Sequence, residues 1–146
     1  METIFENLYV NRELQATLFA AICSKYKLTR TELLILLFLR KNTRNTATDI
    51  VEKLKITKSH VSASVRDLEE RGYITSNYEG NNHRSIQLQL CSSASDIIKA
   101  GDNVQNEFIS IICQGFSPEE RLRLKDYVQR MTKNANDYLK DKNYRR

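Results

Sequence analysis

Apolar residues recur at helical spacing over most of this chain, and one stretch alone alternates. Phe5, Leu8, Phe19, Ile22 and Tyr26 mark a first helix, and Leu33-Leu34-Ile35-Leu36-Leu37-Phe38-Leu39 is an unbroken apolar run that predicts a buried second one. Ile50, Val51 and Leu54 give a short third helix an apolar face. Val61, Val65 and Leu68, at i, i+4 and i+7, give a fourth its inward stripe. Ser85-Ile86-Gln87-Leu88-Gln89-Leu90 then alternates polar and apolar, the period of a half-buried antiparallel strand. Ile97, Ile98, Val104, Phe108, Ile109, Ile111 and Ile112 return to helical spacing, as do Leu122, Leu124, Val128, Met131 and Leu139 after them.

Polar residues mark where these elements begin and end. Thr29-Arg30-Thr31-Glu32 is a capping box, in which the first hydroxyl accepts an early backbone N–H and the carboxylate three residues on accepts the reciprocal bond. Thr46-Ala47-Thr48-Asp49 opens the third helix, Thr57 can cap the fourth, and Ser93-Ala94-Ser95-Asp96 can cap the fifth. Ser117-Pro118-Glu119-Glu120 joins an N-cap serine to a proline in the first turn and a glutamate at the third position. Lys55-Ile56-Thr57-Lys58 is a tight turn between the third and fourth helices. Gly72 and Gly115 can end the fourth and fifth in a left-handed conformation. Tyr73-Ile74-Thr75-Ser76-Asn77-Tyr78 has the composition of a strand, and Glu79-Gly80-Asn81-Asn82-His83-Arg84 has turn chemistry, so a hairpin follows the fourth helix. The predicted fold is mainly α with a small β-hairpin wing, in a single domain over residues 1–146. A winged helix-turn-helix lobe takes residues 29–91, and a helical lobe takes 1–28 and 92–146.

The fourth helix carries the most distinctive chemistry. Ser59, Ser62, Ala63 and Arg66 lie opposite the stripe of Val61, Val65 and Leu68, so its outer face is small, polar and basic. A helix that enters a major groove needs short hydrogen-bonding side chains that let its backbone approach the bases. Thr57, Lys58, Ser59, His60, Ser62, Ala63 and Arg66 are therefore the candidate DNA-reading residues, with Lys58 expected on a phosphate.

These residues resemble the MarR family of winged-helix transcriptional regulators. The resemblance rests on the helix pair of residues 46–71, the junction Leu68-Glu69-Glu70-Arg71-Gly72-Tyr73-Ile74, and the wing with Arg84 and Leu88-Gln89-Leu90. Family wings read Asp-x-Arg followed by a Leu-Thr pair, where this chain has Asn82-His83-Arg84 and Leu90-Cys91; Ser76 stands where a basic residue is common. The resemblance implies that Asn82, His83 and Arg84 contact DNA at the wing, Arg84 reaching toward the minor groove. It also implies a homodimer built from the first helix and the last two, over residues 1–26 and 97–142, whose two reading helices lie roughly 34–36 Å apart on a pseudo-palindromic site. The implied activity is that of a repressor relieved by a small aromatic or anionic effector. Cysteine sensing occurs among such regulators, and Cys23 shares a helical stripe with Phe19 and Tyr26, which makes these three a candidate redox or ligand cleft.

Charge refines this reading only through its placement. The net charge is +5, yet residues 44–90 hold seven basic and six acidic side chains, so the winged helix is not basic overall. Lys53, Lys55, Lys58 and Arg66 nevertheless occupy a stretch with no acid, while Asp67, Glu69 and Glu70 sit beyond it. Three cysteines without paired spacing and two histidines, His60 and His83, suggest no metal site and no disulfide framework. No phosphate-cradling glycine loop and no Gly-x-Ser-x-Gly elbow is present, so no enzyme and no cofactor are expected. The longest apolar run falls far short of the ~20 residues a membrane span needs, and the expected compartment is the cytoplasm. The rival reading is a winged-helix module whose polar helix faces a protein partner instead of DNA.

Overall fold

The computed structural model describes residues 2–41, 45–79 and 82–144, with side chains for all of these except 2, 79, 82–85, 143 and 144. In chain order the elements are α1 (Glu2–Tyr26), α2 (Arg30–Lys41), α3 (Ala47–Leu54), α4 (Lys58–Glu70), β1 (Ile74–Glu79), β2 (Asn82–Leu90), a 3-10 turn (Ser92–Ala94), α5 (Ser95–Ile112) and α6 (Pro118–Tyr144). The chain divides into two compact units, Met1–Phe108 and Ile109–Arg146.

The first unit is built around α2. Leu33, Ile35, Leu36, Leu37 and Leu39 are all buried, so this helix is apolar around most of its circumference and other elements pack on it. Phe19 and Ile22 come from α1, Ile50 from α3, Val61 and Leu68 from α4, Ile74 and Leu88 from the hairpin, and Ile97 from α5. The helix starts follow the capping logic of the sequence. The Thr29 N–H donates to the Glu32 carboxylate at 2.7 Å, and the Glu32 N–H donates to the Thr29 hydroxyl at 3.1 Å. Thr46 and Asp49 make the same reciprocal pair at 2.9 and 3.1 Å.

Two helix ends use a left-handed residue that is not glycine. Lys27 (φ 52°) ends α1, and the Leu28 N–H reaches back to the Cys23 carbonyl at 2.9 Å. Lys55 (φ 55°) ends α3 and turns the chain into α4. The end of α4 does use glycine. With Gly72 at φ 75°, the Gly72 N–H donates to Glu69 and the Tyr73 N–H to Leu68, both at 3.0 Å, the paired bonds of a Schellman motif.

β1 and β2 pair antiparallel, with Ile74 opposite Leu90, Ser76 opposite Leu88 and Tyr78 opposite Ile86. Here the structure corrects the sequence reading. The return strand begins at Asn82 and not at Ser85, so Asn82, His83 and Arg84, assigned above to a turn, lie in β2. Backbone pairing depends little on side chain, and it carries the ladder past the last apolar residue. The register slips there: Tyr78 faces Ile86 but Glu79 faces Asn82, which leaves His83, Arg84 and Ser85 without register partners on β1. The hairpin is held to α2 through Asn45, whose carbonyl accepts the Leu88 N–H at 2.9 Å and whose side-chain amide donates to the Leu39 carbonyl at 3.3 Å. Ser93 also departs from expectation. Its hydroxyl donates to the Gly72 carbonyl at 2.6 Å instead of capping a helix, and α5 starts at Ser95 after the 3-10 turn.

The second unit contains the end of α5, a turn with Gly115 at φ 82°, and α6. Its helix start is the expected one: the Ser117 N–H donates to the Glu120 carboxylate at 2.7 Å and the Glu120 N–H to the Ser117 hydroxyl at 3.2 Å. Along α6, Leu122, Val128, Met131 and Leu139 are exposed. No helix of the described residues is long and apolar enough to cross a membrane.

Candidate nucleic-acid interface

The sequence of α4 separates its faces cleanly. Val61 and Leu68 are fully buried, and Ser64 is buried beside them because its small side chain lets the helix lie close to the core. Thr57 caps the helix, its hydroxyl accepting the His60 N–H at 3.4 Å. Thr57, Lys58, Ser59, His60, Ser62, Ala63 and Arg66 are all exposed, Thr57 as the cap of α4 and the other six along its first nine residues. Among the described residues, neither Lys58 nor Arg66 takes part in an ion pair. Two acids of the helix are disposed differently. Asp67 lies 3.7 Å from the Arg71 guanidinium, and Glu69 accepts a hydrogen bond from the Ser76 hydroxyl at the base of the hairpin.

Two cavities flank this face. One of about 270 Å³ lies between α3 and α4 and is lined by Ala47, Thr48, Val51, Lys58, Val61 and Ser62. The other, about 280 Å³, lies between α4 and the hairpin, lined by Ala47, Ser62, Val65, Arg66, Glu69, Ser76, Ile86 and Leu88. Ser62 borders both, and each has one basic side chain on its wall. The hairpin supplies a residue that the sequence reading missed. Ile86 alternates in phase with Leu88 and reads as core, yet it is 42% exposed while Leu88 is 3% exposed. Alternation reports the face of a strand but not how far along that face the core extends. Of the wing candidates Asn82, His83 and Arg84, the backbone lies in β2 and the side chains lie outside the described residues.

The candidate cleft in α1 has a different character. Phe19 is buried in the core, Cys23 is half-buried, and Tyr26 packs against the core with the Lys25 ammonium 5.3 Å from its ring centre. Burial pushes the Cys23 thiol up, the nearby Glu32 charge adds to this, and Arg30 works against it. The thiol form is therefore favoured at neutral pH, and the thiol form is the unreactive one. A third cavity, about 320 Å³, lies where β2 meets α5 and is lined by Leu90, Cys91, Ser95, Ile98, Lys99 and Asp102. Asp102 there bonds Arg40 of α2 at 2.7 Å. Among the described residues no three His, Cys, Asp or Glu side chains stand close enough to hold a metal ion.

Comparison with known proteins bears on the fold and the family. The sequence model of the MarR family matches residues 26–85, the stretch from the end of α1 to the middle of the hairpin. The HTH-type transcriptional regulator BilQ of Clostridioides difficile is 26% identical over 104 residues, spanning 70% of each chain. The fold matches that of a MarR family transcriptional regulator from Listeria monocytogenes, solved in complex with a 26mer DNA, with a TM-score of 0.82 at 19% identity, over 93% of this chain and 91% of that one. It also matches Bordetella bronchiseptica BpsR, from a study of the regulation of its DNA binding by 6-hydroxynicotinic acid, with a TM-score of 0.70 at 16% identity, over 89% and 98% of the two chains.

Proposed function

We propose that this chain is a member of the MarR family of winged helix-turn-helix transcriptional regulators and that it works as a homodimeric repressor on a pseudo-palindromic operator, relieved by a small effector. It is a DNA-binding transcription regulator. The observation that carries this is the outer face of α4, where Ser59, Ser62 and Ala63 leave room for base edges and Lys58 and Arg66 offer positive charge, with Asp67 and Glu69 of the same helix engaged elsewhere. Its family consists of regulators, and its expected compartment is the cytoplasm, where the DNA lies.

Dimerisation is supported by apolar surface on the terminal helices taken one at a time. Ile4, Phe5, Leu8, Tyr9 and Val10 are exposed on α1, and Leu122, Val128, Met131 and Leu139 on α6. Surface of that kind calls for a partner, and a two-fold axis presents two reading helices to successive major grooves. An effector of aromatic or anionic character suits the cavity at the start of α5, where Leu90 and Ile98 give apolar wall and Lys99 a cation. The structure of BpsR offers a precedent for such control by a small molecule.

Salt dependence separates DNA binding from a protein-docking role. Affinity for duplex DNA is expected to fall steeply between roughly 50 and 200 mM salt, because each neutralised phosphate contributes about −0.9 to the slope of log K against log salt. Absence of duplex binding at the low end of that range would overturn the DNA-binding reading, and a monomer in sedimentation at micromolar concentration would overturn the dimer.

A further inference from the structure

The reading helix and the hairpin leave open the cavity of about 280 Å³ between them, and its walls have a definite chemistry. On the side of α4 stand Ser62 and Arg66 from the exposed face; on the side of the hairpin stand Ser76, Ile86 and Leu88. The register of the hairpin explains the apolar wall. Ile74 with Leu90, Ser76 with Leu88, and Tyr78 with Ile86 are opposed pairs on one face of the ladder. Burial falls away along that face, from Ile74 at 2% and Leu88 at 3% to Ile86 at 42% and Tyr78 at 54%. An apolar face thus runs past the end of the core and stops in solvent beside a guanidinium.

A matching partner must be apolar where it meets Ile86 and anionic where it meets Arg66. The sugar–phosphate backbone of DNA has that pattern, since deoxyribose presents C–H edges and each phosphate a charge. Duplex geometry adds a constraint of its own. A helix in the major groove and a hairpin at the neighbouring minor groove are separated by one backbone strand, which must run between them. Resting on the reading of α4 as the major-groove helix and of the hairpin as the wing at the minor groove, we propose that this cavity seats one strand of the DNA backbone, with Ile86 packed on a deoxyribose and Arg66 holding the adjoining phosphate. Arg66 is then a positioning contact and not a reader of guanine, and Ile86 contributes affinity that carries no charge. Glu69 shares the cavity wall, and its carboxylate opposes the phosphate; the Ser76 hydroxyl, by donating to it, offsets part of that opposition.

The seat acts without regard to sequence, so its test needs no operator. The probe is a short duplex of scrambled sequence, titrated with the full-length protein at several salt concentrations. Arg66→Ala is expected to weaken binding and reduce the salt slope by about 0.9, the share of one phosphate. Ile86→Ala is expected to weaken binding several-fold with the slope unchanged, and Glu69→Gln to tighten it. Ile86→Thr retains the β-branched shape that strands favour and serves if the alanine variant does not fold. Wild-type affinity in the Ile86 variants overturns the seat, as does an Arg66→Ala protein that retains the salt slope and loses sequence preference instead. A wild-type protein that binds no duplex overturns the reading of function as well.

Discussion

The guanidinium of Arg71, at the end of the reading helix, donates a hydrogen bond to the Lys27 carbonyl 2.8 Å away, at the end of α1. It also donates to the Tyr26 carbonyl, lies 3.7 Å from Asp67 and sits over the Tyr73 ring at 5.2 Å. The last carbonyls of a helix have no partner within it, so a cation that meets two of them satisfies orphan acceptors and the negative end of the helix dipole together. Arg71→Ala is therefore expected to destabilise the fold by about 1.5–3 kcal/mol, the range for hydrogen bonds to a charged group. Lysine has no planar fork to reach both carbonyls, so Arg71→Lys should recover little of it. Denaturant unfolding of the two variants checks this; a fully stable lysine variant would show that charge alone matters.

That tether was not legible in the sequence, because it spans 44 positions and its acceptors are backbone atoms. What was legible is local. The capping pairs Thr29 with Glu32, Thr46 with Asp49 and Ser117 with Glu120 each operate over three residues, where side-chain type decides the bond. The stripe of Val61 and Leu68 also fixed which side of α4 would be exposed, and so which residues could read DNA. The left-handed ends at Lys27 and Lys55 had no glycine to announce them, and the start of β2 at Asn82 had no hydrophobic alternation to mark it.

Glu32 ties stability to pH. Burial holds its carboxyl above the ordinary carboxylate range; the Thr29 N–H pulls it back, and the Asp67 carboxyl on α4 raises it further by hydrogen bonding and repulsion. A raised value in the folded state means that the folded protein binds this proton more tightly than the unfolded chain does. Its contribution to stability is thus complete below the unfolded value and lost as pH rises through the folded one. Glu32→Gln keeps an acceptor for the Thr29 N–H without the charge. It should stabilise the protein relative to wild type more at pH 7 than in acid. A difference between the two proteins that is constant with pH, or that grows in acid, would contradict this origin.

α5 approaches α2 closely at Gly101, where an added Cβ would come within 2.5 Å of the Leu37 side chain. Leu37 is 3% exposed and has little room to yield. Gly101→Ala gains up to about 1 kcal/mol in helix propensity but pays about 1–3 kcal/mol in overpacking, so net destabilisation is expected. In a Leu37→Ala background the crowding is gone, and the same substitution should become neutral or favourable. An equal cost in both backgrounds would place the strain elsewhere.

The resemblance to MarR regulators makes Arg84 the expected wing contact, with Asn82 in place of the usual aspartate. Arg84→Ala is expected to lower DNA affinity several-fold while leaving thermal stability unchanged, since a guanidinium in a narrow A·T-rich minor groove contributes through the potential there. Asn82→Asp should tighten binding by holding the arginine in place beforehand, against the repulsion of a new carboxylate near phosphate. Equilibrium titration at physiological ionic strength tests both. An Arg84→Ala protein with full affinity would take the wing off the DNA.

We propose that α4 reads sequence from the major groove as one of a two-fold pair. Selection of bound duplexes from a randomised pool tests it most directly. An enriched inverted repeat is expected, its half-sites centred about one helical turn, roughly 10–10.5 base pairs, or a multiple of it apart. Ser62→Ala should change the bases recovered within each half-site. A pool that shows no enrichment, or a single unrepeated motif indifferent to Ser62, would contradict it.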